Sequence, residues 1–268
     1  MKYLLFMITF SVTLIGVPRV SIITSVYKGD QFIEGFMEDI VRQTIFNQCE
    51  LIMINANSPG NEEQVIRKYM KKYSNIIYIK LDHDPGMYEV WNIAIKMSKS
   101  EYLTNANLDD RLKENCYEVH ARALDKFSDV DLVYSGCYRS YIPNETFKQN
   151  NHQIEAPHSQ YCFNKKRLIE DHICYPNNHP MWRKSIHRRY GLFNKRYKSA
   201  GDLEMWVRAA GFGNAQFRGI KGFYGLCFMN PQGLSTSKES NDEIEREEIR
   251  RACRKGSRLL LKKIEFIL

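Results

Sequence analysis

Val20 to Val26 is rich in apolar and β-branched residues, and behind it Phe32, Ile33, Phe36, Met37, Ile40 and Val41 recur at helical spacing. The first run predicts a strand buried on both faces. The second predicts a core-facing helix reaching about Gln43, with Asp30 as its N-cap and Tyr27, Lys28 and Gly29 turning the chain before it. The pattern then repeats: Glu50 to Asn55 predicts a strand, Asn57 to Asn61 a loop, Glu62 to Tyr73 a helix, and Ile76 to Lys80 a third strand. A helix from about Met87 to Met97, a strand from Glu101 to Ala106, a helix from Glu114 to Phe127 and a strand from Asp131 to Ser135 continue it. Strands alternating with helices are joined by right-handed crossovers, so an α/β fold is expected: an open, mostly parallel sheet with helices on both faces. Ligands of such sheets bind beyond the carboxyl ends of the strands.

After Ser135 the pattern loosens. Residues 139 to 180 are polar, aromatic and rich in His and Asn, as expected of loops that recognise a substrate. From Asp242 the chain is acidic and then turns basic toward Leu268, predicting an amphipathic C-terminal helix over 238–268 that is either solvated or laid on a membrane surface. At the other end Tyr3 to Val17 are apolar apart from Thr9, Ser11 and Thr13, so residues 1–18 are expected to be a signal, a short anchor or an appended strand. A full membrane span needs roughly 20 such residues. With no internal repeat, 19–237 is expected to form one domain.

Composition changes this picture little. An apolar fraction of 43% suits a chain with a sizeable core, and a net charge of +8 is spread among acids without an Arg/Lys stripe, which argues against nucleic acid as partner. The seven cysteines are odd in number and contain no Cys-x-x-Cys pair, so neither a zinc site nor a disulfide framework is written in their spacing, and most are expected to be buried free thiols. Asn144 to Thr146 forms one glycosylation sequon. The compartment stays open between cytoplasm, a membrane-associated position, and a secretory lumen reached through the hydrophobic start.

The chemistry concentrates at Asn107-Leu108-Asp109-Asp110, after the fourth strand. Paired carboxylates in the crevice of a parallel sheet can hold Mg²⁺ or Mn²⁺ while leaving positions open for diphosphate oxygens. Helix capping is the plainer use of such acids.

Taken together, Val20 to Thr44, Glu50 to Gly60, Asp84 to Asn92, Glu101 to Asp110 and Gly191 to Arg208 resemble the family 2 glycosyltransferases of the GT-A fold, a Rossmann-like sandwich, with coverage from about Val20 to Ser235. The resemblance implies that the turn Val26-Tyr27-Lys28 contacts the nucleotide, as does the loop holding Asn55 and Asn57, where the family's two acids are replaced by Asn55 and Ala56. Asp84-Pro85-Gly86-Met87-Tyr88-Glu89-Val90-Trp91-Asn92 is similar to the family's Asp-x-Gly-x-Tyr-x-x-x-Asn segment, which implies donor binding by Asp84 and a place for Asn92 on the helix under the site. The family's metal-binding Asp-x-Asp falls on Asn107-Leu108-Asp109, so Asn107 supplies an amide in place of an acid, and Asp109 with Asp110 becomes the expected metal site, weaker than usual.

Gly201-Asp202-Leu203-Glu204-Met205-Trp206 resembles the family's helix start in which the leading Asp is the general base, implying that role for Asp202, with Glu204 in the place of a second acid. His179 is expected to face the acceptor, and Asn230 stands where the family frequently has a metal-binding His. The implied activity is transfer of a sugar, with inversion, from a UDP- or GDP-linked donor to a glycan, lipid-linked or protein acceptor, assisted by Mn²⁺ or Mg²⁺. A catalytically inactive nucleotide-sugar-binding module and a nucleotidyltransferase are the alternatives.

Overall fold

The computed structural model describes residues 16–156, 163–170, 176 and 179–254. Nearly all of the hydrophobic N-terminal segment, and residues 255–268 of the C-terminal stretch, lie outside the described residues. Among the described residues no helix is long and apolar enough to cross a membrane.

The predicted alternation is realised closely. Strand β1 (Val20–Val26) is followed by α1 (Asp30–Val41), β2 (Cys49–Asn55), α2 (Glu62–Met70), β3 (Ile76–Lys80), α3 (Met87–Met97) and β4 (Tyr102–Asn105). All four strands pair in parallel in the order β3-β2-β1-β4. Then come β5 (Arg111–Leu112), α4 (Cys116–Lys126), β6 (Leu132–Ser140), β7 (Ile154–Glu155), α5 (Lys165–Glu170), β8 (Met181–Arg183) and α6 (Ser185–Tyr190). The described residues close with α7 (Gly201–Trp206), β9 (Phe217–Phe228) and α8 (Asp242–Arg254). The sheet extends as β4-β8-β6-β9-β5, with a long parallel ladder between β6 and β9 and antiparallel pairs of two or three residues elsewhere.

Because side chains alternate across a strand, the apolar residues of β1 feed both faces: Ile22 joins the core with α1 and α4, and Ile23 that with α3 and α7. The second cluster is dominated by rings. Tyr88, Trp91, Trp182, Phe193 and Trp206 meet largely edge-to-face, at centroid distances from 5.3 to 6.1 Å, the geometry their quadrupoles favour.

Three expectations change. Helix α1 begins at Asp30, with Gly29 in the capping position; the Asp30 carboxylate instead accepts the Asn61 N–H at 2.6 Å, tying the β1–α1 and β2–α2 loops together. Cys137 and Cys227 form a disulfide between β6 and β9, while Cys49 and Cys116 are buried free thiols and Cys253 is buried in the core. A pairing across 90 residues depends on which strands become neighbours, and spacing carries no trace of it. Helix α8 is not simply solvated: it buries Ile249 and Cys253 in the aromatic core and Glu245 against a loop, so its inward face is occupied by the protein.

Candidate active site

Parallel strands deliver their carboxyl ends to one rim of the sheet, and the loops there hold the candidate residues. After β1, Lys28 adopts a positive φ of 49° and its N–H donates to Ser58 Oγ at 2.9 Å. Gly29 N–H donates to Glu62 Oε1 at 2.6 Å, and Ser58 Oγ donates to the same oxygen at 2.8 Å. Glu62 is wholly buried at the start of α2. It therefore binds the β1–α1 and β2–α2 loops into one wall, a role that acids in a helix's first turn do not announce.

The rim residues divide by exposure. Tyr27, Asn57 and Asp84 are exposed. Asp84 Oδ1 accepts the Gly86 N–H at 2.8 Å, and Gly86 takes the left-handed φ of 87° needed to turn into α3. By contrast Val26 is fully buried and its carbonyl accepts the Ala56 N–H at 3.0 Å, so its side chain and carbonyl are used within the fold. Asn55 is buried too, accepting the Ser58 N–H at 2.7 Å to shape its own loop. Asn92 is buried with both ends of its amide on Phe193, receiving the N–H at 3.0 Å and donating to the carbonyl at 2.9 Å. These three sit under the site, where they shape its floor.

At the metal motif the two acids point differently. Asp109 is half-buried and its Oδ2 accepts from Asn230 Nδ2 at 3.0 Å. Burial, reinforced by the neighbouring Asp110 charge, pushes its carboxyl up to about 6. Asp110 is 5% exposed and turned inward, accepting the Phe228 N–H at 3.1 Å and Asn107 Nδ2 at 2.9 Å. Behind it lies His179, 2% exposed, with Nδ1 3.2 Å from the Asn105 carbonyl and Nε2 3.4 Å from Asp110 Oδ2. His179 thus braces the turn that carries Asp109 and Asp110 from within, and is itself buried.

The residue that holds this turn was not legible beforehand. Arg111, 1% exposed, donates from Nη1 to the Leu108 and Asp110 carbonyls at 2.8 and 2.6 Å, and from Nη2 to Asn144 Oδ1. Asn144 Nδ2 in turn donates to the Gln31 carbonyl at 2.8 Å, so the sequon's amide is part of this brace.

Asp202 lies in the first turn of α7, half-buried. Its Oδ1 accepts the Leu203 N–H at 2.8 Å and the Tyr88 hydroxyl at 3.2 Å. Burial raises its pKa, opposed chiefly by the Arg246 charge. The Tyr88 ring lies within 2.6 Å of where a Cβ on Gly201 would stand, so only glycine lets α7 start this close to α3. Tyr88 sits in the first turn of α3, just past the carboxyl end of β3. Asp202 is therefore on the same rim as the turn that carries Asp109. Glu204 is not available as a second acid: it is 1% exposed and paired through both oxygens with Arg208 at 2.9 Å.

Among the described residues no three His, Cys, Asp or Glu side chains converge on one point. Asp109 could hold a divalent cation only if diphosphate oxygens and water completed its shell, which is how Mg²⁺ is usually bound, because Asn230 turns its Nδ2 toward Asp109 and its amide oxygen toward the Gln232 N–H.

Residues 21–190 match the family model described as Glycosyl transferase family 2. The chain is similar to the minor teichoic acid biosynthesis protein GgaB of Bacillus subtilis, 28% identical over 116 residues that make up 42% of this chain and 13% of that protein. It is also similar to an uncharacterized glycosyltransferase of Methanocaldococcus jannaschii, 23% identical over 71% of this chain and 64% of that one. A poly(ribitol-phosphate) beta-glucosyltransferase of Bacillus spizizenii is 25% identical over 60% of this chain and 27% of its own length. The chain thus spans less than two thirds of each of these relatives. In architecture it is similar to S. aureus TarS 1-349 in complex with UDP-GlcNAc, with a TM-score of 0.70, 15% identity, and coverage of 88% of this chain and 65% of that one. The Pyrobaculum calidifontis mannosyltransferase PcManGT in complex with GDP-Man and Mn²⁺ gives a TM-score of 0.60 at 13% identity, covering 81% and 58% of the two chains. With the family model matched over more than half of its residues, the chain belongs to glycosyl transferase family 2, and its fold is GT-A.

Proposed function

We propose that the protein transfers a sugar from a UDP- or GDP-linked donor to an acceptor hydroxyl, with inversion, in the synthesis of a surface glycan or polysaccharide. The observation that carries this reading is the state of Asp202. Its Oδ1 is fixed by the Leu203 N–H and the Tyr88 hydroxyl, which leaves Oδ2 to take the acceptor's proton. A carboxylate whose pKa is raised by burial is a stronger base than one in water. As the acceptor oxygen bonds to the anomeric carbon, its proton passes to Oδ2 and the bond to the diphosphate breaks. General-base assistance of this kind contributes roughly 10²–10⁴-fold.

Asp109 would hold the divalent cation, which would supply positive charge to offset that of the departing diphosphate. The exposed side chains of Tyr27, Asn57 and Asp84 line the nucleotide side of the rim, and the UDP-sugar and GDP-sugar complexes of the structural neighbours support a donor of this class.

The test is a thermal-shift series with UDP, GDP, UDP-GlcNAc, UDP-glucose and GDP-mannose, with and without Mn²⁺, followed by turnover of whichever donor stabilises the fold. Asp202→Asn should keep the ligand-induced shift and lose turnover by at least 100-fold. Full turnover in that variant removes Asp202 from the mechanism; no shift with any nucleotide removes the donor class.

A further inference from the structure

Helix α8 lies beyond the residues that the family model matches. Its position in the structure gives it work to do. Glu245, 8% exposed, receives three consecutive backbone N–H groups of a loop more than forty residues earlier: Lys198 on Oε1 at 2.7 Å, and Ser199 and Ala200 on Oε2 at 2.9 and 2.8 Å. One turn before it, Asp242 Oδ1 accepts the Ser199 hydroxyl at 2.5 Å. The helix is anchored by Ile249 and Cys253 in the core cluster that also contains Leu203, Met205 and Trp206 of α7.

Residues 198–200 are the run from which α7 starts, and Asp202 follows two residues on. The Ser199 carbonyl accepts the Tyr88 hydroxyl at 2.6 Å, the same hydroxyl that reaches Asp202. Burying a carboxylate is costly unless charge-assisted donors compensate, and an apolar side chain would dock a helix with less penalty. What an apolar side chain cannot do is fix three successive peptide planes. Those planes set the direction in which α7 leaves the loop, and with it the aim of the Asp202 carboxylate.

We infer that α8 is a working part of the catalytic centre, with Glu245 as a positioning residue that fixes the 198–200 backbone and thereby the aim of Asp202 at the acceptor. This rests on the reading of Asp202 as the base.

The test uses the full chain and Glu245→Gln, which keeps the shape but replaces one accepting oxygen by an amino group facing backbone N–H donors. Two quantities are measured: amide hydrogen exchange by mass spectrometry, and turnover of UDP-GlcNAc, UDP-glucose and GDP-mannose with Mn²⁺. Amides 198–200 should exchange at least tenfold faster while those of β1 and β4 keep their wild-type rates. The kcat should fall on the order of tenfold to a hundredfold, as for a misplacement of about 1 Å, with the donor KM within about twofold. Unchanged exchange at 198–200, or wild-type kcat, overturns the inference. Should Glu245→Gln not fold, Asp242→Asn, on the same face, carries the test: a severalfold lower kcat at unchanged donor KM supports it, and an unchanged kcat overturns it. Asp202→Asn separates the two readings. Full turnover in Asp202→Asn removes the base itself, whereas an inactive Asp202→Asn beside a fully active Glu245→Gln removes only the role of Glu245.

Discussion

Replacing Asn92 by alanine distinguishes a residue that touches the donor from one that shapes the floor beneath it. The Asn92 amide satisfies both polar groups of Phe193, its N–H at 3.0 Å and its carbonyl at 2.9 Å. Neither group can turn to water, because the Phe193 ring is packed between Tyr88, Trp91, Trp182 and Trp206. Alanine leaves one donor and one acceptor buried without partners, each costing about 1–3 kcal/mol, so the expected loss is about 4 kcal/mol. That is a large share of the roughly 5–15 kcal/mol by which domains are stable. Asn92→Asp keeps the acceptor for the Phe193 N–H but sets a carboxylate oxygen against the carbonyl, and should cost as much or more. Urea unfolding followed by circular dichroism reads the stability, and calorimetric titration with UDP and GDP at 10 °C reads the site while the variant is still folded. Nucleotide affinity should stay within about twofold of wild type. A stability loss under about 1 kcal/mol together with tenfold weaker nucleotide binding would refute the reasoning and put the amide against the ligand.

Acid should expose His187, which burial holds neutral by lowering its pKa to about 4, with Trp182 Nε1 donating to its Nε2 at 2.9 Å. The folded state refuses a proton that the unfolded chain accepts below pH 6.5, so this contribution is complete above 6.5 and fades as pH falls toward 4. Between pH 7.5 and 5 the wild type should lose about 2 kcal/mol more than His187→Gln, and equal losses in urea titrations at the two pH values would contradict this. Asn107→Asp sets a second negative charge against Asp110, so its melting temperature should fall in EDTA and rise more with Mn²⁺ than that of wild type; a Mn²⁺ response no larger than wild type rules out a cation at this turn. Arg111→Met removes the donors from the Leu108 and Asp110 carbonyls and leaves buried acids without their counter-charge, for an expected loss of about 3–5 kcal/mol in urea unfolding. Arg246→Gln removes the charge that opposes burial at Asp202, so the acidic limb of the pH–rate profile should move to higher pH; a limb moving to lower pH would show that Arg246 does not face the base.

The first half of the fold was readable because β1, β2 and β4 are buried segments and the partners of all four strands are set by crossover rules. Val20–Val26 and Ile76–Lys80 fall where periodicity puts them, and α3 runs over Met87–Met97 as expected. From β6 onward this logic gives out. The strand is longer than its apolar run, continuing through Tyr138, Arg139 and Ser140, because β9 pairs along its whole length and stacks Phe223 on Tyr138 at 4.3 Å. Such pairing is decided by tertiary contact, and no local pattern encodes it. The same is true of the disulfide between these two strands.

At the site, what could be read was the identity of groups at strand ends, and what could not was their direction. Asp109 and Asp110 are neighbours with the same side chain, yet one meets the solvent side and the other faces His179 and the Phe228 N–H, since consecutive residues in a turn project to different sides. Asn55, Asn92 and Asn107 look alike as polar residues beside a crevice; two are consumed by backbone groups that the fold would otherwise leave unpaired, and only Asn107 lies at the rim. The residues that went unnoticed, Glu62, Arg111 and Glu245, share one property. Each is a charged side chain, less than a tenth exposed, that spends its charge on backbone groups of loops carrying the rim residues. A sequence shows such residues as ordinary helix-start acids or a strand arginine, because what makes them unusual is the distant backbone they meet. The rim of this chain is therefore built in two layers: polar groups at the strand ends, and beneath them a small set of buried charges that hold the rim's loops in place.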